Sequence, residues 1–267
     1  EGDSAVSQSA PATRSTTVDN TGLNITEPGT YIISGSSTGQ IRVDTDGDVR
    51  LVLSGVTIDA HEGAAIEVAD GTTNTVSDAD TRSDEEIDGA IYSADDLTIT
   101  GSGELAVNGT FADGIVGKDD LWINTANITV TAVDDGIRGT DSLNVESCSI
   151  AVTAAGDGLK SSTGVLNISD GNITVSSGDD AIKAEQMIGI TGGTINVLES
   201  VEGIEAPVIV IDGGVISINA SDDGINASAS DLVMDGLSIT INGGTLIVNG
   251  QQVHELAQAM MGGAPRR

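Results

Sequence analysis

Aromatic side chains are almost missing from this chain: 267 residues hold one Trp, one Phe and two Tyr. A rounded core of that size normally recruits far more rings, so the packing here must be thin and aliphatic. The single cysteine, Cys148, excludes an internal disulfide. It stands in the strand-like run Cys148-Ser149-Ile150 and reads as an inert packed thiol. Basic residues are scarce as well. Ten Lys and Arg face 41 Asp and Glu, a formal net charge of −31. That balance excludes ordinary nucleic-acid binding, which needs a basic surface. It favours cations, or ligands bridged by cations. No apolar run is long enough to span a bilayer, so no transmembrane segment is expected. The chain begins at Glu1, without Met or signal peptide, as a mature form would whose leader has been removed. An extracellular or cell-surface location is therefore expected.

Glycine is abundant, with 35 residues, and a repeat organises the chain. Asp134-Asp135-Gly136-Ile137-Arg138-Gly139 recurs as Gly156-Asp157-Gly158-Leu159-Lys160-Ser161 and again as Asp179-Asp180-Ala181-Ile182-Lys183-Ala184. The small residue of this motif appears at Ala65, Ala90, Gly114, Gly136, Gly158, Ala181, Gly203 and Gly224, at intervals of 25, 24, 22, 22, 23, 22 and 21. A period in this range marks a stacked architecture. Two further aliphatic-x-aliphatic triplets follow in each period, such as Leu143-Asn144-Val145 and Ile150-Ala151-Val152. Alternation of period two sends the outer pair of each triplet to one side. Three short strands and three turns in about 22 residues make one coil of an all-β, single-stranded parallel β-helix, a solenoid in which each strand pairs with its copies above and below.

The expected organisation is a flexible linker over 1–17, the β-helix over 18–250 and a C-terminal cap and tail over 251–267. The linker is Ser-, Ala- and Thr-rich. Thr72 to Ile87 interrupt the alternation and read as an excursion from the coil. Val253 to Met261 alone have helix-like composition, suited to closing the open end.

The position before the small residue is acidic in six consecutive rungs: Asp113, Asp135, Asp157, Asp180, Glu202 and Asp223. Asp134, Asp179 and Asp222 thicken the column. Stacked carboxylates about 4.8 Å apart repel by roughly 3 kcal/mol at an effective dielectric near 20. Two neutralisers present themselves. Arg138, Lys160 and Lys183 stand three positions after their column acid and are able to reach back to it. Alternatively calcium, which takes six to eight oxygens, binds along the corner. A shorter column, Asp95, Asp96, Asp119, Asp120 and Asp141, has only Lys118 nearby and is either a second calcium corner or a set of solvated turn residues. Trp122, between Leu121 and Ile123, should face outward, as a stacking surface for a sugar or as a partly covered surface residue.

From Leu23 to about Gly250 the chain resembles the secreted "carbohydrate-binding domain-containing" β-helix proteins. The resemblance rests on Pro28-Gly29-Thr30-Tyr31-Ile32-Ile33-Ser34-Gly35, on Arg50 to Ile58, on Asp70 to Asp78, and most closely on Gly89 to Ile99 and Asp113 to Leu121. It implies a right-handed parallel β-helix related in shape to pectate-lyase-like folds. It also implies bound calcium and binding of plant or cell-wall polysaccharide, above all acidic sugar polymers. The chain departs from the family between Val68 and Asp70, where a usual strand is missing and the first full rung should be short.

Three functions follow as expectations. The leading one is an extracellular, non-catalytic, calcium-dependent polysaccharide-binding protein for uronate-containing glycans, with Arg138, Lys160, Lys183 and Trp122 against the sugar. The second is a structural protein whose solenoids stack end to end into homo-oligomers or filaments. The third is a polysaccharide lyase with Arg138, Lys160 or Lys183 as base. Repetition of those cations rung after rung speaks for a ladder rather than a catalytic centre.

Overall fold

The computed structural model describes residues 12–45, 49–60, 63–70, 87–227 and 238–252. These are strands and turns. Among the described residues no helix is long and apolar enough to cross a membrane. Strands assemble into a ten-, an eight-, a seven- and a three-stranded sheet. Their pairings are parallel, except that Gln251–Gln252 runs antiparallel to Thr245–Val248.

From Gly89 onward each turn visits three sheets in order. In one turn these strands are Ile137–Gly139, Ser142–Glu146 and Cys148–Ala154, in the ten-, seven- and eight-stranded sheets. The periodic aliphatics meet in the expected register. Ile66, Ile91, Ile115, Ile137, Leu159, Ile182, Ile204 and Ile225 pair in succession. Parallel runs of Leu and Ile lie at Leu121, Leu143 and Leu166 and at Ile128, Ile150 and Ile173. All are buried, so from Ile91 onward each rung adds the same few side chains to one aliphatic core, while Ile66 packs in a separate cluster at the start of the solenoid. This is how a chain with four aromatic-ring residues builds a core: the layer is only one aliphatic side chain deep from each wall.

The small residue at the corner is required by close approach. A Cβ on Gly136 would lie 2.3 Å from Val152 Cγ1 and 2.6 Å from the Gly158 carbonyl oxygen of the next rung.

The start of the solenoid is built differently. Gly29–Ser37 and Val49–Ile58 are long strands, paired with a register shift after Ile33. Gly35 and Gly55 take positive φ values, letting one bent strand cover the path that two short ones cover later. Of the expected linker over 1–17, the part within the described residues is corrected here. Thr13–Val18 is a strand, parallel to Thr30–Gly35, and Val18 is buried. Its Thr- and Ser-rich composition hid a partner supplied from 17 residues further on.

Ile66–Asp70 is a strand of the ten-stranded sheet, where the chain was expected to lack one between Val68 and Asp70. The expected excursion lies, apart from Ile87, outside the described residues, as does the cap over Val253 to Met261.

Candidate functional site: two acidic corners

The acid column lies at the corner where the chain enters the ten-stranded sheet. Asp113, Asp135, Asp157 and Asp180 are buried, and Glu202 and Asp223 are half-buried. Asp134, Asp179 and Asp222 are exposed. Asp113, Asp135 and Asp157 each use their two oxygens differently. Oδ1 of Asp113 accepts the backbone N–H of Asp135 (3.0 Å), Asp135 that of Asp157 (2.9 Å) and Asp157 that of Asp180 (3.0 Å). The column is thus stitched rung to rung through the backbone, which keeps its buried oxygens satisfied.

The Oδ2 atoms face the cations. Arg138 lies 2.6 Å from Asp113 and also bonds Asp88. Lys160 stands 2.8 Å from both Asp135 and Asp157. Lys183 lies 2.6 Å from Asp180 and 3.1 Å from Glu205. Of the two neutralisers weighed above, the internal one therefore operates in the middle rungs. Arg138 reaches back a full rung, and Lys183 also spans forward to Glu205.

Charge in this corner is held at a cost. Burial pushes the Asp113 carboxyl up to about 6, against the pull of Arg138. Burial also raises Asp157 and Glu202, and it raises Asp180, where the neighbouring Glu205 adds to the effect. The cations move the opposite way in effect: although burial disfavours their charge, adjacent carboxylates hold Arg138, Lys160 and Lys183 above their usual values. All three stay protonated, so the lattice is one of permanent cations and reluctant anions.

The second corner lies where the chain leaves the ten-stranded sheet. Asp95, Asp96, Asp119 and Asp141 are exposed and Asp120 is half-buried. Asp96 Oδ1 accepts the Asp120 N–H (3.1 Å), and Asp120 Oδ1 accepts the Ser142 hydroxyl (2.7 Å). Lys118 points away: its ammonium lies 3.8 Å from Asp88 and over the Tyr92 ring. Burial and the neighbouring carboxylates of Asp141, Asp95, Asp96 and Asp120 raise Asp119.

Among the described residues, three groups of acids bring one carboxylate oxygen each within 4.8 Å of one another: Asp95, Asp96 and Asp119; Asp157, Asp179 and Asp180; and Asp180, Glu202 and Glu205. Two oxygens bound to one calcium at about 2.4 Å can be no more than about 4.8 Å apart, so each group fits a hard cation. Lysines already sit against the second and third groups. The first has no ion-pair partner among the described residues. Asp113, Asp134, Asp135, Asp120, Asp141, Asp222 and Asp223 join none of the three groups. Asp88 and Glu205 were missed from the sequence. Asp88 stands one residue ahead of the column slot occupied by Gly89. Glu205 shows itself only once Lys183 and Glu205 are paired as neighbours across rungs.

A family model described as carbohydrate-binding domain-containing protein matches residues 19–252. The chain belongs to this family. A carbohydrate-binding domain-containing protein of Acetivibrio thermocellus is 36% identical over 128 residues, covering 41% of this chain and 45% of that relative. The chain thus spans less than half the length of that relative. Among solved structures, a polysaccharide lyase-like protein from C. thermocellum, determined as a gadolinium derivative, is similar with a TM-score of 0.53 and 27% identity, covering 88% of this chain and 94% of that one.

Proposed function

We propose that this family member is an extracellular, non-catalytic polysaccharide-binding solenoid that holds calcium at the Asp95–Asp96–Asp119 corner and uses it to bridge acidic glycans. One observation carries the calcium: three exposed carboxylates within a single ion's reach, unopposed by any cation among the described residues. The donor set is all oxygen, which suits calcium and not zinc. The solved relative was obtained with gadolinium, another hard, oxygen-seeking cation. With a net charge of −31 the bare surface repels uronate chains, so a bridging metal is needed. Exposed sites of few ligands bind calcium weakly, in the range of extracellular modules, which is consistent with work outside the cell.

The relatives' names support glycan binding. The lyase-like relative keeps elimination chemistry in view, but a lyase base must lose its proton near neutral pH. Arg138, Lys160 and Lys183 are each locked against carboxylates that raise their pKa values. This favours binding over catalysis.

The test is a thermal melt with calcium or with chelator at matched ionic strength, alongside titration with hexagalacturonate. Calcium should raise the melting temperature and sodium should not. The rise should vanish in a variant carrying Asp95→Asn and Asp119→Asn, and so should hexagalacturonate binding. Equal stabilisation by sodium would reduce the corner to a screened charge cluster and remove the bridging mechanism.

A further inference from the structure

The outer face of the seven-stranded sheet carries a column of aligned side chains. Its central column, read through the strand register, is Thr98, Trp122, Asn144, Asn167, Gly189, Val210 and Thr240. No member is ionisable, in a chain of net charge −31. At about 4.8 Å per rung the column runs roughly 29 Å along the solenoid. Trp122, the only Trp of the chain, is 46% exposed on it.

Beside Trp122 the polar groups are already fixed. Asn167 Nδ2 donates to Asn144 Oδ1 (3.0 Å), Asn144 Nδ2 donates to Ser142 Oγ (2.6 Å), and Ser142 Oγ donates to Asp120 Oδ1 (2.7 Å). Every donor in this relay points the same way, so the orientation of both amides is set by the anchored carboxylate at its end. Each amide keeps a second N–H, and each carbonyl a second lone pair. Gly189 leaves the far end open: a Cβ there would come within 3.0 Å of Asn167 Oδ1.

We infer that this strip is where a polysaccharide lies, its pyranose rings seated by their C–H faces on Trp122 and their hydroxyls bonded to the Asn144 and Asn167 amides, with no bridging cation. The inference rests on the reading of the chain as a polysaccharide binder but not on calcium. Pyranose faces are apolar and their hydroxyls both donate and accept, which matches an indole followed by oriented amides. Preset amides lose little freedom on binding. Charge supports an uncharged chain. Exposed Asp96, Asp119 and Glu146 border the column and repel a polyanion unless a metal intervenes.

Trp122 also supplies the readout. Neutral β-1,4-linked hexasaccharides of glucose, mannose and xylose are titrated against the full chain while indole fluorescence and binding heat are followed, in calcium and in chelator. At least one should shift the emission and bind equally in both. Trp122→Ala should weaken it at least tenfold, Trp122→Phe less, and Asn144→Ala or Asn167→Ala about three- to tenfold. The variant carrying Asp95→Asn and Asp119→Asn should bind it unchanged. Trp122 is a surface residue, so its variants should fold, and their melts check this. If Trp122→Ala binds like the parent, the assignment is overturned. If glycans bind only with calcium and fail with the aspartate variant but not with Trp122→Ala, the sugar sits on the acid corner; the strip is overturned and the calcium reading stands. If no neutral or acidic glycan binds under either condition, both readings fall.

Discussion

Arg138 lies 2.6 Å from Asp113, one rung back, and 3.9 Å from Asp135 in its own rung. The guanidinium thereby leaves Asp135 to Lys160, which shares itself between Asp135 and Asp157. A displacement of one rung at the first cation turns a set of local pairs into an interlocked chain. Each cation ties two turns of the solenoid together, as the backbone bonds to Oδ1 do on the other side of the same carboxylates.

Removing Arg138 should therefore cost more than removing its partner. Its side chain is 12% exposed, and Arg138→Ala would strand the buried Asp113 carboxylate and leave Asp88 only the more distant Lys118, at 3.8 Å. Loss of one member of a buried pair typically costs about 3–5 kcal/mol. Asp113→Asn keeps an oxygen for the Asp135 N–H and leaves Arg138 paired with Asp88, so it should cost less than about half of that. Urea denaturation of both variants checks the order. Equal losses would mean that the guanidinium does not hold the corner.

The corner also makes stability depend on pH in an unusual direction. Asp113 titrates at about 6 in the fold, against 3.8 for a free aspartate. A raised carboxyl favours the protonated folded state, so its contribution is complete below about pH 4 and is lost as pH rises through 6. Asp157, Asp180 and Glu202 are displaced the same way. The lysine contributions, raised from 10.5, stay constant across this window. The melting temperature should rise by several degrees between pH 7 and pH 5, and Asp113→Asn should flatten that slope. A midpoint that falls on acidification through this window would contradict the displacement.

Much of this was legible in the sequence because two signals coincide. Ile137, Leu159 and Ile182 follow a small residue at nearly constant intervals, and period-two triplets fix which side chains turn inward. Together they define the register without any structure. The direction in which a long side chain reaches is not written that way. Arg138 has column acids within reach both in its own rung and one rung back, and only the folded geometry shows that it takes the one behind. Asp88 stayed hidden because it sits one residue off the column. The strand Thr13–Val18 was lost because its Thr and Ser signal a loop when no partner is in view. The register slip at Leu198, inside the strand Thr194–Glu199, was also hidden, since its rung keeps a regular length.

The corner from the seven- to the eight-stranded sheet holds strain that can be relieved. Thr125 has φ 51° and Ser147, at the equivalent turn, φ 52°. A β-branched residue in the left-handed region costs on the order of 1–2 kcal/mol. Thr125→Gly gives back part of that through the entropy of the unfolded glycine. The net should be a gain of about 1 kcal/mol, or about 2–4 °C in melting temperature. Calorimetry that shows no gain would mean that the Thr125 hydroxyl, which donates to Asn124 Oδ1 at 2.6 Å, offsets the strain.

Glu199 accounts for the irregular rung, and its neighbour Ser200 carries the cost. Ala132, Ala154, Ser177 and Ala220 are buried four positions after the inward-facing Ile128, Ile150, Ile173 and Ile216, where this rung, counted from Ile195, has Glu199. A carboxylate in that slot would be buried without a partner. The register instead slips at Leu198: Val175 pairs with Val197, and Ser176 with Glu199. Leu198 is left 58% exposed, Glu199 stays in solvent, and Ser200 is buried with an unpaired Oγ. Asn219 Nδ2 donates to the Leu198 carbonyl (2.9 Å) and steadies the bulge. Ser200→Ala should stabilise the fold by about 1–2 kcal/mol, because it removes a desolvated hydroxyl and no hydrogen bond. Glu199→Ala, which makes the rung match its neighbours, should let the bulge close and protect Leu198 from solvent. Proton exchange at the Leu198 amide, faster than its neighbours in the parent and slowed in Glu199→Ala, would show it. A bulge that persists in Glu199→Ala would assign the slip to Leu198 or Val201 instead.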